Sequence, residues 1–430
     1  MDYNVKGKQN LKASLTVPGD KSISHRSVML GSIATGKTHV KGFLMGEDCI
    51  STISCFRQMG IKIEISGTDV TIYGNGLHGL KAPEETLNVG NSGTTIRLLS
   101  GILAGSGFKS RLTGDSSIQK RPMDRIFTPL SLMGAKFKNL KDSIPEGKLF
   151  APFEITGSAL KGISYVLPVA SAQVKSAILL ASLYAEGETK ITEPEATRDH
   201  TEIMLNHMGA SIIKEGAEIV SGGEVILNGC EIDVPADISS AAYFMVIGTI
   251  CKNSVITIKN VGLNPTRTGI ITALRQMGAN IETTGVKTIS GETRGDITVS
   301  SSKLKGITIS KELIPLLIDE IPVLAVAACF AEGTTIIKDA EELKVKESNR
   351  IKAMVTELKK FGADITETGD GMIINGKTPL KGTKVLSYND HRIAMSLAVL
   401  GLACEGSTTV LDCKCVNISF PGFFDIINKL

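Results

Sequence analysis

The sequence predicts an α/β protein of two similar domains, each built from three repeated α/β units. Three observations support this prediction. The chain has 430 residues, which is long for a single domain. Hydrophobic residues make up 42% of it, enough for a large core. Five segments of similar sequence recur at intervals of 69 to 84 residues, so that one unit spans about 70 residues.

Each recurring segment has the pattern of an amphipathic helix that ends in Met-Gly or Phe-Gly, followed at once by an alternating strand. Glycine favours the left-handed conformation that closes a helix, so the shared glycine marks a helix end. The final "FFDIINKL" lies where a sixth helix would finish, and the cut between domains is expected near residues 215–240. The five copies are "FRQMGIKIE" (56–64), "LSLMGAKFK" (130–138), "LNHMGASII" (205–213), "LRQMGANIE" (274–282) and "LKKFGADIT" (358–366).

Charge and composition exclude several classes of protein. The 47 basic and 44 acidic residues leave a net charge of +3, too small to indicate nucleic-acid binding. No basic-then-apolar leader opens the chain, and no apolar run reaches the ~20 residues of a membrane helix. The eight cysteines are scattered without a C-x-x-C pair, which indicates reduced thiols and argues against zinc. We therefore expect a cytoplasmic globular protein.

The segment "GSIATGKT", residues 31–38, matches the phosphate-loop pattern of nucleotide-binding proteins at every fixed position. A phosphate loop follows a strand and opens a helix. Here "SISHRSVMLGSIA" has helical spacing and "THVKGF" reads as a strand, which is the reverse order. We therefore expect Lys37 and Thr38 to lie in an exposed turn, and we disfavour binding of ATP or GTP.

The residues just before that segment are cationic. In "PGDKSISHR", Lys21, Ser22 and Arg26 fall on the first turn and a half of a predicted helix, which Asp20 or Ser22 could cap. Positive charge at a helix N-terminus opposes the helix dipole. The cluster is therefore either a solvated basic face or a site for a bound anion.

Polar or charged residues precede an apolar helix at several further places. Free N–H groups and cations at such N-termini would suit a small polyanion if the N-termini of each domain converge on a cleft. Asp319 and Glu320 directly precede a nearly all-apolar helix, where a carboxylate with a raised pKa could act as acid or base. The segments are "GNSGTTIRLLSGILAG" (90–105), "GDSSIQKRPMDRI" (114–126), "VASAQVKSAILLASL" (169–183), "EATRDHTEIML" (195–205), "LIDEIPVLAVAACF" (317–330), "LKVKESNRIKAM" (343–354) and "YNDHRIAMSLAVLGLA" (388–403).

In this order the segments closely resemble the 5-enolpyruvylshikimate-3-phosphate synthase family of enolpyruvyl transferases. The matching motifs, within residues 18–424, are "PGDKSISHR", "GNSGTT", "QKRPMDR", "SAQVKSA", "TRDHTE", "LIDEIP", "VKESNR", "NDHRIAM" and "SFPGFF". The resemblance implies an inside-out architecture of two domains, each of three α/β units, with the active site in the interdomain cleft. It also implies a discontinuous domain of residues 1–19 plus 237–430 and a second domain of residues 20–236.

The reaction that this resemblance implies is transfer of the enolpyruvyl group of phosphoenolpyruvate to shikimate 3-phosphate, a step of aromatic amino acid biosynthesis. The methylene carbon of phosphoenolpyruvate would be protonated while the 5-hydroxyl of shikimate 3-phosphate attacks C2. The tetrahedral adduct would then lose phosphate. No metal or organic cofactor is expected. The expected partners are these two small molecules, with no nucleic acid and no membrane, and the chain is expected to be a monomer.

The resemblance also implies a role for each matching residue. The expected catalytic residues are Lys21, Asp319 and Glu347. Shikimate 3-phosphate would contact Lys21, Ser22, Arg26, Ser171, Gln173, Arg198, Asp319 and Lys346. Phosphoenolpyruvate would contact Lys21, Gly93, Arg121, Gln173, Arg350 and Arg392.

Two positions depart from many members of the family. Ala172 stands where many have a second serine before Gln173, and Ile418 stands where many have a lysine. Both departures resemble the glyphosate-tolerant branch, whereas Gly93 resembles sensitive members. The sequence therefore leaves the response to this inhibitor open.

Three other functions compete with this interpretation. The sister enzyme that acts on UDP-N-acetylglucosamine shares the fold but has a Lys-Asn pair near its start and usually a cysteine on a mobile loop. Here the pair is Lys21-Ser22, and "GDSSIQKRPMD" contains no cysteine. A phosphate-loop nucleotide-binding protein conflicts with the helix-turn-strand order. A non-catalytic anion-binding scaffold would not need the expected catalytic residues.

Overall fold

The chain forms two compact units in a computed structural model that describes residues 1–142, 144–223 and 225–430. The first unit comprises Met1–Pro18, Pro235–Thr288 and Thr293–Leu430. The second unit comprises Gly19–Val234 and Ile289–Glu292. Each unit has its own cluster of buried hydrophobic side chains, so each has a separate core.

The helices alternate between two types along the chain. Some are buried along almost their whole length, whereas the others are amphipathic or short. The buried helices are Lys21–Ile33, Gly93–Ala104, Ala172–Ser182, Ile238–Ile250, Ile321–Cys329 and His391–Ala403. Short 3₁₀ turns lie at Ile118–Lys120, Glu341–Val345 and Cys413–Ile418. The helices are α1 Lys21–Ile33, α2 Glu47–Gln58, α3 Gly93–Ala104, α4 Asp124–Leu132, α5 Ala172–Ser182, α6 His200–His207, α7 Ile238–Ile250, α8 Gly269–Gln276, α9 Ile314–Leu317, α10 Ile321–Cys329, α11 Arg350–Lys360, α12 His391–Ala403 and α13 Phe423–Lys429.

The strands are short and are distributed among several small sheets rather than one large sheet. They are β1 Tyr3–Lys6, β2 Lys12–Leu15, β3 Thr35–Lys41, β4 Lys62–Ser66, β5 Asp69–Asn75, β6 Leu87–Asn88, β7 Lys109–Thr113, β8 Lys136–Asn139, β9 Phe153–Thr156, β10 Leu160–Lys161, β11 Ser164–Val166, β12 Ala185–Glu186, β13 Thr189–Thr192, β14 Ile212–Glu215, β15 Glu218–Ser221, β16 Glu231–Asp233, β17 Val255–Gly262, β18 Asn280–Ile289, β19 Glu292–Ser300, β20 Thr308–Ile309, β21 Thr334–Ile337, β22 Asp364–Glu367, β23 Met372–Asn375, β24 Lys384–Leu386 and β25 Ser407–Leu411.

In the second unit, the described residues build three four-stranded sheets with one common plan. The strand orders are β6-β7-β9-β8, β11-β13-β15-β14 and β16-β3-β5-β4. In each sheet the first two strands are parallel and the later pairs are antiparallel. The strand β16 comes from the end of this unit and pairs with β3 near its start, with Glu231 opposite His39. The third sheet is therefore completed only after the chain has traversed the whole unit.

The first unit repeats the plan with one variation. Its sheets have the orders β18-β19-β17-β2, β20-β21-β23-β22 and β1-β25-β24. The last of these has three strands, and β1 from the chain's N-terminus pairs antiparallel with β25, with Tyr3 opposite Val410. The final helix α13 then ends at Lys429. The predicted repetition of α/β units is confirmed.

The buried helices form the centre of each unit. In the second unit α3 packs against α1 and α5, and in the first unit α7, α10 and α12 all pack against one another. A helix that is surrounded on all sides must be apolar all round, as the sequences of α7 and α10 are. Within the described ranges, no helix is both long enough and apolar enough to cross a membrane.

The recurring glycines close the amphipathic helices as predicted. Gly60 follows α2 with a φ of 86°, a left-handed conformation that lets the chain turn directly into β4. The equivalent residues after α4, α6, α8 and α11 have the same positive sign of φ: 114° at Gly134, 105° at Gly209, 96° at Gly278 and 98° at Gly362.

The structure corrects one expectation for the segment "GSIATGKT". Helix α1 precedes and strand β3 follows, so the helix-turn-strand order is confirmed and a phosphate loop is absent there. The predicted exposed turn at Lys37 and Thr38 is wrong. Both residues lie in β3, where the alternation of the strand leaves Lys37 exposed and buries Thr38.

Replacing Gly60 with alanine should destabilise the second unit by ~1–2 kcal/mol, because an L side chain disfavours the left-handed conformation. The added Cβ would meet only the flexible side chain of Lys81, so the cost comes from the backbone. Gly107→Ala is the matched control in the same unit, since its Cβ meets nothing within 4 Å and its φ is not left-handed. Chemical denaturation measures both variants, and equal stability of the two would contradict the assignment.

Candidate functional site: two polar clusters at helix N-termini

Helix α1 begins with the cationic segment that the sequence singled out. The Asp20 carboxylate caps it by accepting the Ile23 amide at 2.9 Å. Lys21 in the first turn forms an ion pair with Asp48 of α2, and Ser22 beside it is half-buried. The Asp20 and Asp48 carboxylates offset part of the positive charge at this N-terminus.

Arg26 lies one turn further on and is buried. Its Nε donates to Thr201 Oγ1 at 2.7 Å, its Nη2 to Ser176 Oγ at 2.8 Å, and its Nη1 to the Ser22 carbonyl at 3.0 Å. Burial lowers the pKa of Arg26 to about 10, although the nearby Glu202 carboxylate acts to raise it. Its hydrogen-bond partners are thus neutral groups, which leaves a positive charge that an anion could balance.

A second group of side chains surrounds the start of α3. Ser92 caps this helix by accepting the Thr95 amide at 3.0 Å. A Cβ on Gly93 would lie 3.2 Å from Nη1 of Arg121 and 3.3 Å from Nη1 of Arg97, so only glycine fits here without displacing a guanidinium. Two cations therefore converge on one backbone position.

Gln173 links that group to α5. Its side-chain Oε1 accepts a hydrogen bond from Arg97 Nη1 at 2.5 Å, and its side-chain Nε2 donates to Thr94 Oγ1 at 3.1 Å. Ser171 caps α5 through the Val174 amide. Arg198 is half-buried in the loop before α6, and its charge acts on Arg26. The expected residues of the second unit therefore lie mainly at the starts of α1, α3 and α5, with Arg121 after the turn Ile118–Lys120 and Arg198 before α6.

Sequence reasoning missed the role of Lys175 in the second unit. Its ammonium is fully buried, 3.0 Å from Glu193 Oε1 and 2.7 Å from Glu202 Oε1. It lies inside "SAQVKSA", but its partners are distant in sequence, so no local pattern could identify them. The ion pair between Lys175 and Glu202 links α5 to α6. The charge of Glu202 also acts on the guanidinium of Arg26.

In the first unit, one buried guanidinium gathers three carboxylates. Arg350 begins α11 and is 1% exposed. Its Nε donates to Asp390 Oδ2 at 2.8 Å, its Nη2 to Glu347 Oε2 at 2.5 Å, and its Nη1 to Asp319 Oδ1 at 3.3 Å. The three carboxylates come from three different segments of the chain, so this arginine joins them.

Asp319 is also approached by two further cations. Its Oδ1 lies 3.8 Å from Lys346 Nζ, and its Oδ2 lies 3.8 Å from Arg392 Nη2. Arg392 also donates from Nη1 to the Asp319 carbonyl at 2.9 Å. The side chains of Asp319, Lys346 and Glu347 stay partly accessible, at 15%, 26% and 20%. The carboxylates of Asp319 and Glu347 are therefore accessible to a ligand.

The charges in this cluster shift one another's ionisation. Burial acts to lower the pKa of Arg350, but the carboxylates of Asp390, Glu347 and Asp319 raise it above its usual value. Burial acts to raise the pKa of Asp390, but Arg350 holds it below its usual value. The pKa of Arg392 is also raised, with Asp319 the largest favourable cause against burial. Arg350, Arg392 and Asp390 therefore each favour the charged state in this cluster.

Glu320, the other carboxylate that directly precedes this apolar helix in the sequence, has a different environment. It is buried and accepts a hydrogen bond from Ser239, whose hydroxyl also accepts from Arg267 at 2.7 Å. Arg267 in turn lies 3.4 Å from Asp237, the cap of α7. Sequence reasoning missed this buried network because its members are far apart in the chain.

The expected site residues therefore form two clusters, one in each unit. The second unit holds Lys21, Ser22, Arg26, Gly93, Arg121, Ser171, Gln173 and Arg198, and the first unit holds Asp319, Lys346, Glu347, Arg350 and Arg392. Ile418 packs against the core of the first unit. Among the residues that the structure describes, no group of three or more His, Cys, Asp or Glu side chains is arranged to hold a metal ion.

Known proteins resemble this chain over nearly its whole length. A profile of the EPSP synthase family (3-phosphoshikimate 1-carboxyvinyltransferase) matches residues 5–427. The chain is 57% identical over 430 residues to a 3-phosphoshikimate 1-carboxyvinyltransferase of Thermoanaerobacter sp. (strain X514), with 100% of each chain covered. It is 55% identical over 420 residues to the protein of that name from Bacillus cereus (strain B4264), covering 98% of this chain and 97% of the other.

A solved structure extends the similarity to the fold. The EPSP synthase from Acinetobacter baumannii superposes with a TM-score of 0.88 at 49% identity, covering 100% of this chain and 97% of that chain. The chain therefore belongs to the EPSP synthase family, the 3-phosphoshikimate 1-carboxyvinyltransferases, and has their two-domain α/β fold.

Proposed function

We propose that this chain transfers the enolpyruvyl group of phosphoenolpyruvate to the 5-hydroxyl of shikimate 3-phosphate and releases phosphate through a tetrahedral intermediate. The observation that supports this most is the cluster around Asp319. Two partly accessible carboxylates, Asp319 and Glu347, lie among the cations Lys346, Arg350 and Arg392. Addition and elimination on an anionic enol ester need such a combination of proton-transfer groups and fixed positive charge.

The residues of the second unit are proposed to bind both substrates. Lys21, Ser22, Arg26, Ser171, Gln173 and Arg198 would hold shikimate 3-phosphate. Arg26 would meet its anionic groups, since the guanidinium is bound mainly by neutral hydroxyls. Gly93, Arg121, Gln173 and Lys21 would contact phosphoenolpyruvate. A glycine between two guanidinium groups leaves room for a phosphate or carboxylate to approach.

In the first unit, phosphoenolpyruvate would engage Arg350 and Arg392. In the structure the Nη groups of Arg350 donate hydrogen bonds to Asp319 and Glu347. We propose that the substrate's anionic groups take over some of these donors. A carboxylate released from an arginine has a higher pKa and is a stronger base. Substrate binding would thereby activate Asp319 and Glu347 for proton transfer.

We assign proton transfers to each of the two carboxylates. Asp319, with Lys346 beside it on the shikimate side, would accept the proton of the 5-hydroxyl as its oxygen forms a bond to C2. Glu347 would take up a proton as its pKa rises, give that proton to the methylene carbon in the first step, and take a proton back from the resulting methyl group when phosphate leaves. Asp319 would pass the proton of the 5-hydroxyl to the departing phosphate. Lys21 would stabilise the negative charge that develops on the departing phosphate. No metal or organic cofactor takes part in these steps.

The remaining expectations are also proposals. The domain division at residues 1–19 plus 237–430 and 20–236 is supported by compact units that separate at Pro18–Gly19 and Val234–Pro235. We propose that the enzyme acts in the cytoplasm as a monomer on small molecules alone, without nucleic acid or membrane. Transfer to UDP-N-acetylglucosamine is the alternative, and the Lys21-Ser22 pair disfavours it.

Inorganic phosphate released by the purified protein tests the proposal directly. Release from phosphoenolpyruvate should require shikimate 3-phosphate. UDP-N-acetylglucosamine should not replace the second substrate, and ATP alone should give no release. Release with the UDP sugar or from ATP alone would overturn the proposed function.

Asp319→Asn should lower turnover by ~100-fold or more, because the amide cannot accept the 5-hydroxyl proton. Shikimate 3-phosphate should still bind, as measured by calorimetry, since the expected ligands of the second unit are unchanged. Asp364→Asn is the matched control, because this carboxylate is exposed and accepts a hydrogen bond from Asn375, away from the expected site residues. Turnover that falls equally in both variants, or not at all, would exclude Asp319 as the base.

Gly93→Ala should raise the KM for phosphoenolpyruvate by ~tenfold, because the new methyl group displaces the guanidinium groups of Arg121 and Arg97 by a few tenths of an ångström. The KM for shikimate 3-phosphate should change less. Gly107→Ala serves as the control for an added methyl group in open space. Equal KM values in the two variants would mean that Gly93 does not face phosphoenolpyruvate.

A further inference from the structure

The segment that carries Asp390 and Arg392 has an unusual backbone. Tyr388 and Asn389 follow one another with φ values of 55° and 54°, both left-handed. L side chains rarely adopt this conformation, and a bulky residue such as tyrosine does so least readily. Two consecutive residues of this kind directly before the N-cap of α12 need contacts elsewhere that hold them.

Glu357 supplies such contacts from α11. Its carboxylate is fully buried, yet it reaches Leu386, which precedes the left-handed turn, and Tyr388, which begins the turn. Oε2 accepts the Leu386 amide at 2.9 Å, and Oε1 accepts the Tyr388 hydroxyl at 2.8 Å. Lys360 lies 2.8 Å from Oε2 and balances the buried charge. Burial together with this hydrogen bond raises the pKa of Tyr388 to about 12, in agreement with the hydroxyl as donor.

Helix α11 therefore holds the segment Leu386–Asp390 at two points. Arg350 in its first turn binds Asp390, and Glu357, seven residues later, binds Leu386 and Tyr388. Residues seven apart lie on the same face of a helix. Between these points Ser387 donates to the Asp412 carbonyl at 2.9 Å.

We propose that Glu357 is a positioning residue for phosphoenolpyruvate binding. By holding Leu386 and Tyr388 it maintains the left-handed turn that places Asp390 and Arg392 against Arg350 and Asp319. This inference rests on the proposed function, in which Arg350 and Arg392 contact phosphoenolpyruvate. Glu357 itself touches no substrate; it acts through the backbone that carries Arg392.

Tyr388→Phe is the primary test, because Tyr388 is exposed and the protein should still fold. Loss of the hydroxyl removes one of the contacts on Glu357 but keeps the ring. The KM for phosphoenolpyruvate should rise ~fivefold to tenfold, the scale of losing one ordinary hydrogen bond. The KM for shikimate 3-phosphate should stay within about twofold, since its ligands lie mainly in the second unit.

Tyr73→Phe is the matched control. Its hydroxyl also donates to a carboxylate, Glu64, at 2.9 Å, but in the second unit and on a β-strand. It should leave both KM values unchanged. A merely structural loss would lower the folded fraction and hence the apparent kcat, and would leave the KM for phosphoenolpyruvate unaltered.

A double-mutant cycle with Glu357→Gln tests the pair itself. If Glu357 acts through the Tyr388 hydroxyl, the two changes together should raise the KM for phosphoenolpyruvate by less than the product of the single effects. If Glu357→Gln does not fold, Tyr388→Phe still decides. An active wild-type enzyme with identical KM values for Tyr388→Phe and Tyr73→Phe would overturn the positioning role. Absence of phosphate release by the wild type with both substrates would instead overturn the proposed function.

Discussion

The cluster of charged side chains in the first unit depends on one buried charge, the Arg350 guanidinium. Removing one partner of a buried ion pair typically costs ~3–5 kcal/mol, so such a charge needs its partners in place. Its partners are Asp390, which caps α12, Glu347, which precedes α11, and Asp319, which lies before α10. The arginine therefore fixes the starts of three helices at once. The acid–base residues of the proposed reaction are among the groups that it fixes.

The buried arginine of the second unit, Arg26, is surrounded by different groups. Arg26 is bound by the hydroxyls of Thr201 and Ser176, and its pKa is lowered by burial, whereas the pKa of Arg350 is raised by carboxylates. The two buried guanidinium groups therefore have different surroundings: burial dominates at Arg26, and neighbouring carboxylates dominate at Arg350. This difference is consistent with the proposal that Arg26 meets an anionic group of shikimate 3-phosphate.

Local signals in the sequence predicted the repeat and the helix ends. A glycine such as Gly60 closes a helix through its own φ. Its role can therefore be predicted from the nine-residue segment that contains it. The ion pair between Glu347 and Arg350 spans three positions and is also local. The contacts of Arg350 with Asp390, and of Glu357 with Tyr388, join segments about 30 to 40 residues apart. Such contacts depend on how helices pack, and a single sequence does not encode that packing locally.

The packing also explains why the expected site residues lie where helices begin. The central helices α1, α3, α5, α7, α10 and α12 are buried almost throughout, so a charged side chain in the middle of one must find a partner, as Lys175 does. Their first turns are the places where polar groups can meet both the free N–H groups of the helix and a ligand. Repeating the α/β unit six times therefore produces six such helix starts, three in each unit. Lys21, Ser171 and Arg392 lie at such starts. Glu347 and Arg350 instead lie at the start of the amphipathic helix α11, where Asp319 and Asp390, which precede the central helices α10 and α12, reach the same guanidinium.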